Sequence, residues 1–127
     1  MSIDHIALYT QDLERSRSFY ECFFGGHSNS RYHNPNTGLQ TYFLEFEGGT
    51  RLELMMRPDV SGNRPPVLHP GYIHIAFRAD SREAVDLLTR RLMEAGYPIV
   101  SAPRITGDGY YESCVLDPDG NLVEIVG

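Results

Sequence analysis

The residues best suited to chemistry are two histidines and two glutamates that occur in the same order in both halves of the chain. His5 and His74 each begin the tripeptide His-Ile-Ala, while Glu53 and Glu124 each interrupt an apolar stretch. Glu53 follows His5 by 48 residues, and Glu124 follows His74 by 50. A pair that recurs in a fixed order at nearly equal spacing indicates a duplicated supersecondary unit.

Alternation along extended strands predicts where these side chains point. Glu124 would lie opposite Val123 and Ile125, and His74 opposite Ile73 and Ile75, because successive side chains of a strand face opposite ways. The apolar side must cover a core, so the polar side chains face away from it. Two imidazoles and two carboxylates that converge are costly to pack together, and a divalent cation such as Zn²⁺, Ni²⁺, Co²⁺, Mn²⁺ or Fe²⁺ would stabilise them. This predicts a metal site with four ligands: His5, Glu53, His74 and Glu124.

Each of these residues also has a simpler interpretation. A single histidine in an apolar strand is more often a core residue than a ligand, and a single glutamate there more often lies at a sheet edge. The repetition in order and spacing favours the metal site. His27, His33 and His69 have no such partner and are expected on the surface or in loops.

Composition restricts the class of protein. The chain has 127 residues, a formal net charge of −6 and 41% hydrophobic residues, which is typical of one globular domain. The negative charge argues against a nucleic-acid partner, and no apolar run is long enough to cross a membrane. All basic residues are arginine, which excludes lysine Schiff-base chemistry. His5 lies too close to Met1 for a signal peptide between them, so a cytoplasmic location is expected. Cys22 and Cys114 are expected to be reduced core residues.

The predicted fold is α+β, with a single domain over residues 1–127 made of two βαβββ units, 1–57 and 71–127. Asp12 and Ser81 should cap the two helices, and glycines should end them. The other predicted elements are strands over residues 3–10, 27–34, 39–47, 51–56, 72–79, 99–105 and 110–116 and a last strand around Val123. The proline-rich loop 58–70 would join the units or lie over a substrate as a lid.

Three motifs carry a family resemblance. They are D-P-D-G-N-L-V-E ending at Glu124, His-Ile-Ala at the start of the second half, and D-L-x-x-S-x-x-F-Y over residues 12–20. The sequence resembles the vicinal-oxygen-chelate superfamily, which contains glyoxalases, bleomycin-resistance proteins and dioxygenases, over essentially its whole length. This resemblance implies a cup-shaped mixed sheet around the metal site, and a homodimer. The site would be closed within one chain or shared by two.

A His/Glu/His/Glu ligand set is similar to that of glyoxalase I. The resemblance therefore implies a lactoylglutathione lyase-like metalloenzyme, a lyase or isomerase that acts on the hemithioacetal of a 2-oxoaldehyde by proton transfer through a metal-bound enediolate. Glu124 would be the general base, and Glu53 a ligand and a partner for reprotonation. One divalent metal (Ni, Co, Zn or Mn) is implied for each site, with glutathione or another thiol as co-substrate.

Five residues are candidates for substrate binding. Short bacterial glyoxalases have sequences like H-x-x-L-R at the first strand and E-L-x-x-N at the fourth, and the Arg and Asn of these motifs help to hold glutathione. This chain has Tyr9 in place of that Arg and Arg57 in place of that Asn. Arg57 could pair with a carboxylate. Arg78 shares the face of His74 and could attract an anionic substrate or pair with a nearby carboxylate. Tyr110 and Tyr111 could line the pocket or pack as an aromatic strand.

Other functions fit the same resemblance. They are a fosfomycin-type thiol transferase or hydrolase, an epimerase, a dioxygenase, and a metal-free small-molecule binding protein. A dioxygenase would need an oxidisable metal with open coordination positions. A binding protein would hold no tight metal.

Overall fold

The computed structural model describes residues 3–61 and 70–127, and the chain divides into two compact units, residues 1–68 and 69–127. His69 and most of the predicted loop 58–70 lie outside the described residues. The elements are β1 (His5–Tyr9), α1 (Leu13–Phe24), β2 (His27–Ser28), β3 (Tyr32–His33), β4 (Gln40–Glu45), β5 (Arg51–Met56), β6 (His74–Arg78), α2 (Arg82–Glu94), β7 (Ile99–Ile105), β8 (Tyr111–Leu116) and β9 (Leu122–Val126), with one 3₁₀ turn at Glu47–Gly49. The α+β class is confirmed.

In the first unit, the sheet order is β1-β5-β4-β2, and β3 also pairs with β4. β1 runs parallel to β5, whereas the other pairs are antiparallel. Helix α1 packs on β4 and β5, where it buries Phe19 and Tyr20 against a core that includes Leu44 and Leu54. Removing these large side chains from water supplies most of the favourable energy of such a packing.

The second unit has the simpler order β6-β9-β8-β7, with β6 parallel to β9 and the other pairs antiparallel. Helix α2 packs on β7, β8 and β9. Its Val85 and Leu92 are fully buried, as are Val123 and Ile125 of β9. Glu124 therefore faces away from the helix, because the two neighbours that flank it in β9 face the helix.

Both helices begin as the sequence predicts. The Asp12 side chain accepts a hydrogen bond from the backbone N–H of Arg15 at 3.0 Å, and the Ser81 hydroxyl accepts one from Ala84 at 3.2 Å. Each cap satisfies a backbone donor that a helix start leaves free. Helix α1 ends at Gly25, whose φ of 70° favours glycine.

Three details differ from the expectation. The predicted strand 27–34 is two short strands, because the Asn29 side chain accepts the Phe43 N–H at 2.9 Å in place of a backbone carbonyl. Two isoleucines on the apolar side of the histidine strands, which alternation would place in the core, are exposed, Ile6 by 40% and Ile73 by 55%. The reason is that β1 and β6 are edge strands, whereas α1 covers β4 and β5 and α2 covers β7, β8 and β9. Cys22, predicted in the core, is exposed, whereas Cys114 is buried.

A helix long and apolar enough to cross a membrane is absent from the described part of the chain.

Candidate active site

The parallel pairing of β1 with β5 brings His5 and Glu53 together. His5 is the register partner of Arg51, and Ala7 is the partner of Glu53, so the two side chains share one face of the sheet. His5 Nε2 lies 3.6 Å from Glu53 Oε2. The glutamate side chain is 16% exposed and the histidine 36%, so the pair is partly shielded from water.

The second unit repeats this geometry. His74 is the register partner of Leu122, and Ala76 is the partner of Glu124. In both units the glutamate thus stands two residues beyond the partner of the histidine. His74 Nε2 lies 3.3 Å from Glu124 Oε2. The unequal sequence spacings, 48 and 50 residues, therefore end in one and the same strand register.

The turn before β9 sets the position of Glu124. Asp117 is buried and accepts hydrogen bonds from the backbone N–H groups of Asp119 at 2.9 Å and Asn121 at 2.7 Å. Its second oxygen accepts a bond from the Asn121 side-chain amide at 2.7 Å. Gly120 has a φ of 79°, which suits a glycine in a tight turn. This turn holds the start of β9 beside β8.

The donor atoms of each pair suit one divalent ion. Two ligands about 2.1 Å from the same ion at a tetrahedral angle stand about 3.4 Å apart, close to the two observed separations. Imidazole nitrogen with carboxylate oxygen is also a donor set that first-row divalent metals accept.

The structure brings the four predicted ligands together as two pairs. Over residues 3–61 and 70–127, no group of three or more His, Cys, Asp or Glu side chains lies close enough to hold a metal ion. The four-ligand centre remains a prediction, and the pairs are the part of it that each unit forms on its own.

Three residues surround His5 that the sequence did not single out. Asp4 accepts a hydrogen bond from His5 Nδ1 at 2.8 Å and also bonds Arg51. Both bonds lower the pKa of Asp4 below its ordinary value, and the bond from His5 is the larger cause. The ring of Phe43 meets the His5 ring edge-on at 5.0 Å, and the Arg51 guanidinium lies 5.0 Å from the centre of the Phe43 ring. Strand alternation could have placed Arg51 on this face, but Asp4 had no sequence signal.

A cavity of about 500 Å³ opens beside the second pair. Its polar lining is His74, Arg78, Asp108, Tyr110, Glu112 and Glu124. Glu112 faces Arg104 at 4.0 Å. Arg78 has no ion-pair partner among the described residues, so its charge is free for a bound anion. The structure thus places two of the predicted substrate residues, Arg78 and Tyr110, with His74 and Glu124.

Tyr111 lies elsewhere. Its hydroxyl donates to Asp86 of helix α2 at 2.6 Å, and Arg82 of the same helix lies 5.3 Å from the centre of its ring. The bond to Asp86 raises the pKa of Tyr111 above its ordinary value. Of the two roles expected for the tyrosines, pocket lining and packing within a strand, Tyr110 thus has the first, whereas Tyr111 packs against helix α2, because adjacent residues of an extended chain face opposite ways.

Tyr9 and Arg57 lie at the far end of the first unit's sheet. Tyr9 is about half exposed on the face of His5, two residues beyond Ala7. Arg57 follows β5 and makes two 2.9 Å hydrogen bonds to Asp59, the main cause of its raised pKa. Arg57 lines a cavity of about 330 Å³ that neither His5 nor Glu53 lines.

Cys114 is a further neighbour of Glu124. The two residues are direct partners across β8 and β9. Burial, and then the nearby Glu124 carboxylate, raise the pKa of the Cys114 thiol. The thiol is therefore a small neutral side chain beside the glutamate rather than a nucleophile.

The chain thus has an α+β fold whose two units each repeat one His–Glu pair in the same strand register, which is typical of a duplicated protein. Residues 2–125 match the model of the Glyoxalase/Bleomycin resistance protein/Dioxygenase superfamily. The chain belongs to this superfamily, as the sequence resemblance predicted.

Individual relatives support this membership. The chain is 38% identical to the Pseudomonas aeruginosa protein PA2024 over 97% of this chain and 86% of that protein. It is 28% identical to the metallothiol transferase FosB of Shouchella clausii, over 97% of this chain and 77% of that protein. Its structure resembles that of the trypanothione-dependent glyoxalase I of Leishmania major, with a TM-score of 0.79 over 100% and 86% of the two chains. At 24% identity this last likeness shows the fold alone.

Proposed function

We propose that this protein is a metal-dependent lyase of the glyoxalase I type, which isomerises the hemithioacetal formed by a 2-oxoaldehyde and a thiol. The observation that carries the proposal is the same His–Glu pair, in the same strand register, in both units. A carboxylate beside each imidazole supplies both the ligand set and the base that this reaction needs.

The residues that would hold one divalent ion (Ni, Co, Zn or Mn) are His5, Glu53, His74 and Glu124. When bound, the ion supplies positive charge that stabilises negative charge on two neighbouring substrate oxygens. The pair separations of 3.6 and 3.3 Å and the donor types support this assignment.

Glu124 is the proposed general base. Its side chain lines the 500 Å³ cavity, so a substrate in this cavity could come within hydrogen-bond reach. Glu124 takes the C–H proton from the carbon that bears sulfur and returns it to the adjacent ketone carbon, with Glu53 as the partner for reprotonation. The hydroxyl oxygen on the sulfur-bearing carbon also loses its proton, and the former ketone oxygen gains a proton. The product is the thioester of a 2-hydroxy acid, and no oxidant or reductant is consumed.

Arg78 and Tyr110 are the proposed substrate-binding residues. Both line the cavity beside Glu124, and a free guanidinium suits a carboxylate of the thiol. Tyr9 and Arg57 are assigned a secondary role, since Arg57 is already bonded to Asp59. Glutathione is one thiol that carries such carboxylates, and other thiols are candidates. The protein is proposed to act as a homodimer.

The test begins with protein purified without chelators or a metal-affinity tag. Elemental analysis should find one ion per chain, and the protein should form a thioester from methylglyoxal mixed with glutathione, cysteine or coenzyme A. Glu124→Gln should retain the ion and lower kcat by at least about a hundredfold, as expected for loss of a general base. Glu112 lines the same cavity, so Glu112→Gln is the matched control, and its kcat should change far less. Full activity of Glu124→Gln would refute the assignment.

A thiol transferase of the fosfomycin type is the second candidate. Two relatives favour it, the metallothiol transferase FosB, at 28% identity, and the glutathione transferase FosA of Serratia marcescens, at 27%. The free Arg78 would also suit a phosphonate. Consumption of thiol with an epoxide phosphonate, without thioester formation from methylglyoxal, would select this function.

A further inference from the structure

His5 takes part in a connected set of contacts within the first unit. Its Nδ1 bonds Asp4 at 2.8 Å, and Arg51 donates to the same Asp4 oxygen. Arg51 also covers the ring of Phe43, which in turn meets the His5 ring at an interplanar angle of 85°. Asp4, Arg51 and Phe43, called here the His5 clamp, therefore fix both the rotation of the imidazole and the direction of its two nitrogens.

The bond to Asp4 decides which nitrogen carries the proton. An ionised carboxylate only accepts hydrogen bonds, so Nδ1 must be the donor. In a neutral imidazole the other nitrogen then has a free lone pair. That nitrogen, Nε2, is the one 3.6 Å from Glu53, too far for a good hydrogen bond. A lone pair that faces a carboxylate is unfavourable unless a water molecule or a positive charge lies between them, and a metal ion bound by both groups would supply that charge.

The described part of the second unit, residues 70–127, does not repeat the clamp. Ile73 precedes His74 where Asp4 precedes His5, and Leu122 is the register partner of His74 where Arg51 is that of His5. Among the described residues, Glu124 is the one charged contact of His74. The two histidines, equivalent in sequence pattern, are thus oriented by different means.

We propose that Asp4, held by Arg51, is a positioning residue that keeps His5 in its Nδ1–H tautomer with Nε2 free to bind a metal ion. The inference rests on the proposed metal site. An acidic partner on the outer nitrogen of a histidine ligand fixes its tautomer and raises its basicity, and loss of such a partner typically weakens metal binding 10- to 100-fold.

The tautomer can be observed directly in the metal-free protein. Long-range ¹H–¹⁵N NMR spectra, recorded in chelator near pH 9 to keep imidazoles neutral, distinguish the two neutral forms from the imidazolium. Wild type should show Nδ1–H at His5, assigned by the signal lost in His5→Gln. Asp4→Ala should convert His5 to a mixture of tautomers, whereas Asp4→Asn should retain Nδ1–H because the amide oxygen still accepts. The signals of His74 should stay unchanged.

Metal titration supplies the second measurement. Asp4→Ala should bind Zn²⁺ 10- to 100-fold more weakly than wild type. Asp59→Ala is the matched control, because Asp59 is another exposed acid of the first unit bonded to an arginine, and it should bind as wild type. Asp4 is exposed, so an unchanged circular dichroism spectrum should show that each variant folds.

The two proposals can fail separately. A wild-type His5 found as Nε2–H or as imidazolium would overturn the positioning role, as would an Asp4→Ala variant with the wild-type tautomer. A protein that binds none of the candidate metals would overturn the proposed function, while the spectra of the metal-free protein would still decide whether Asp4 orients His5.

Discussion

The two cysteines should differ strongly in reactivity because they occupy different environments. Cys22 is exposed, whereas Cys114 is buried beside Glu124 and its thiol pKa is raised. A raised pKa lowers the fraction of reactive thiolate near neutral pH. In chelator, a thiol reagent should therefore modify Cys22 in a fast phase and Cys114 in a slow one, and Cys22→Ser should remove only the fast phase.

The same experiment reports on the position of Glu124. Burial is the larger cause of the raised Cys114 pKa and Glu124 the second, so Glu124→Gln should speed the slow phase only modestly. Two phases of equal rate in wild type would contradict the burial of Cys114, and a slow phase unchanged in Glu124→Gln would contradict the effect of this carboxylate on the thiol.

Tyr110 and Tyr111 form a matched pair for the substrate site. Tyr110 lines the cavity beside Glu124, whereas the Tyr111 hydroxyl is bonded to Asp86. Tyr110→Phe should raise KM for the hemithioacetal severalfold, and Tyr111→Phe should leave KM unchanged. Steady-state kinetics checks both, and a raised KM in Tyr111→Phe alone would reverse the assignment.

Tyr111 also gives the protein a pH dependence. Its pKa in the folded chain is raised above the ordinary value of 10.0, chiefly by the bond to Asp86. A raised folded-state pKa means that the folded state holds the proton more tightly than the unfolded state, so the stabilisation is complete below pH 10 and is lost as pH rises through the folded pKa. The free energy of unfolding should fall less steeply above pH 10 in Asp86→Asn, as urea titrations can show.

The helices depend on their caps. Asp12 and Ser81 each satisfy a backbone donor in the first turn, so Asp12→Ala and Ser81→Ala should each lower the free energy of unfolding by about 1 kcal/mol. Chemical denaturation measures this loss. Glu47→Ala, a surface change outside both helices, should stay within about 0.5 kcal/mol of wild type.

The strands show how far a local pattern can predict an element. Strands β7 and β5 have the predicted bounds, residues 99–105 and 51–56. In both, turn residues mark the two ends of the stretch. The stretch 27–34 broke into two short strands, since a side chain of Asn29 replaced one backbone bond of the ladder. The partial exposure of Ile6 could not be predicted, because the position of β1 at the sheet edge depends on distant pairing.

For the chain as a whole, the proposed metal site predicts linked stability. An ion that binds only the folded state stabilises it, by about 2.7 kcal/mol when its free concentration is a hundred times Kd. Thermal unfolding with and without Zn²⁺ should show this gain in wild type, and both His5→Ala and His74→Ala should lose it. If one variant kept the full gain, a single pair would be the site, and the four-ligand proposal would be wrong.

Mixing the two inactive variants distinguishes the two arrangements of the site. If two chains share it, a mixed dimer of His5→Ala and His74→Ala contains one intact set of four ligands and regains activity. If one chain closes it, every set in the mixture lacks a ligand, and no activity returns. Unmixed variants, refolded in the same way, are the controls.

The amino-acid pattern was sufficient for the α+β class, the order of strands and helices, both helix caps and the two His–Glu pairs. Each of these follows from short-range rules or from the internal duplication. The strand register, the bond of Asp4 to Arg51 and the bond of Tyr111 to Asp86 join residues far apart in the chain, the last two by 47 and 25 positions. Such contacts exist only after the strands have paired and the helix has packed, because no local rule specifies which distant groups will meet.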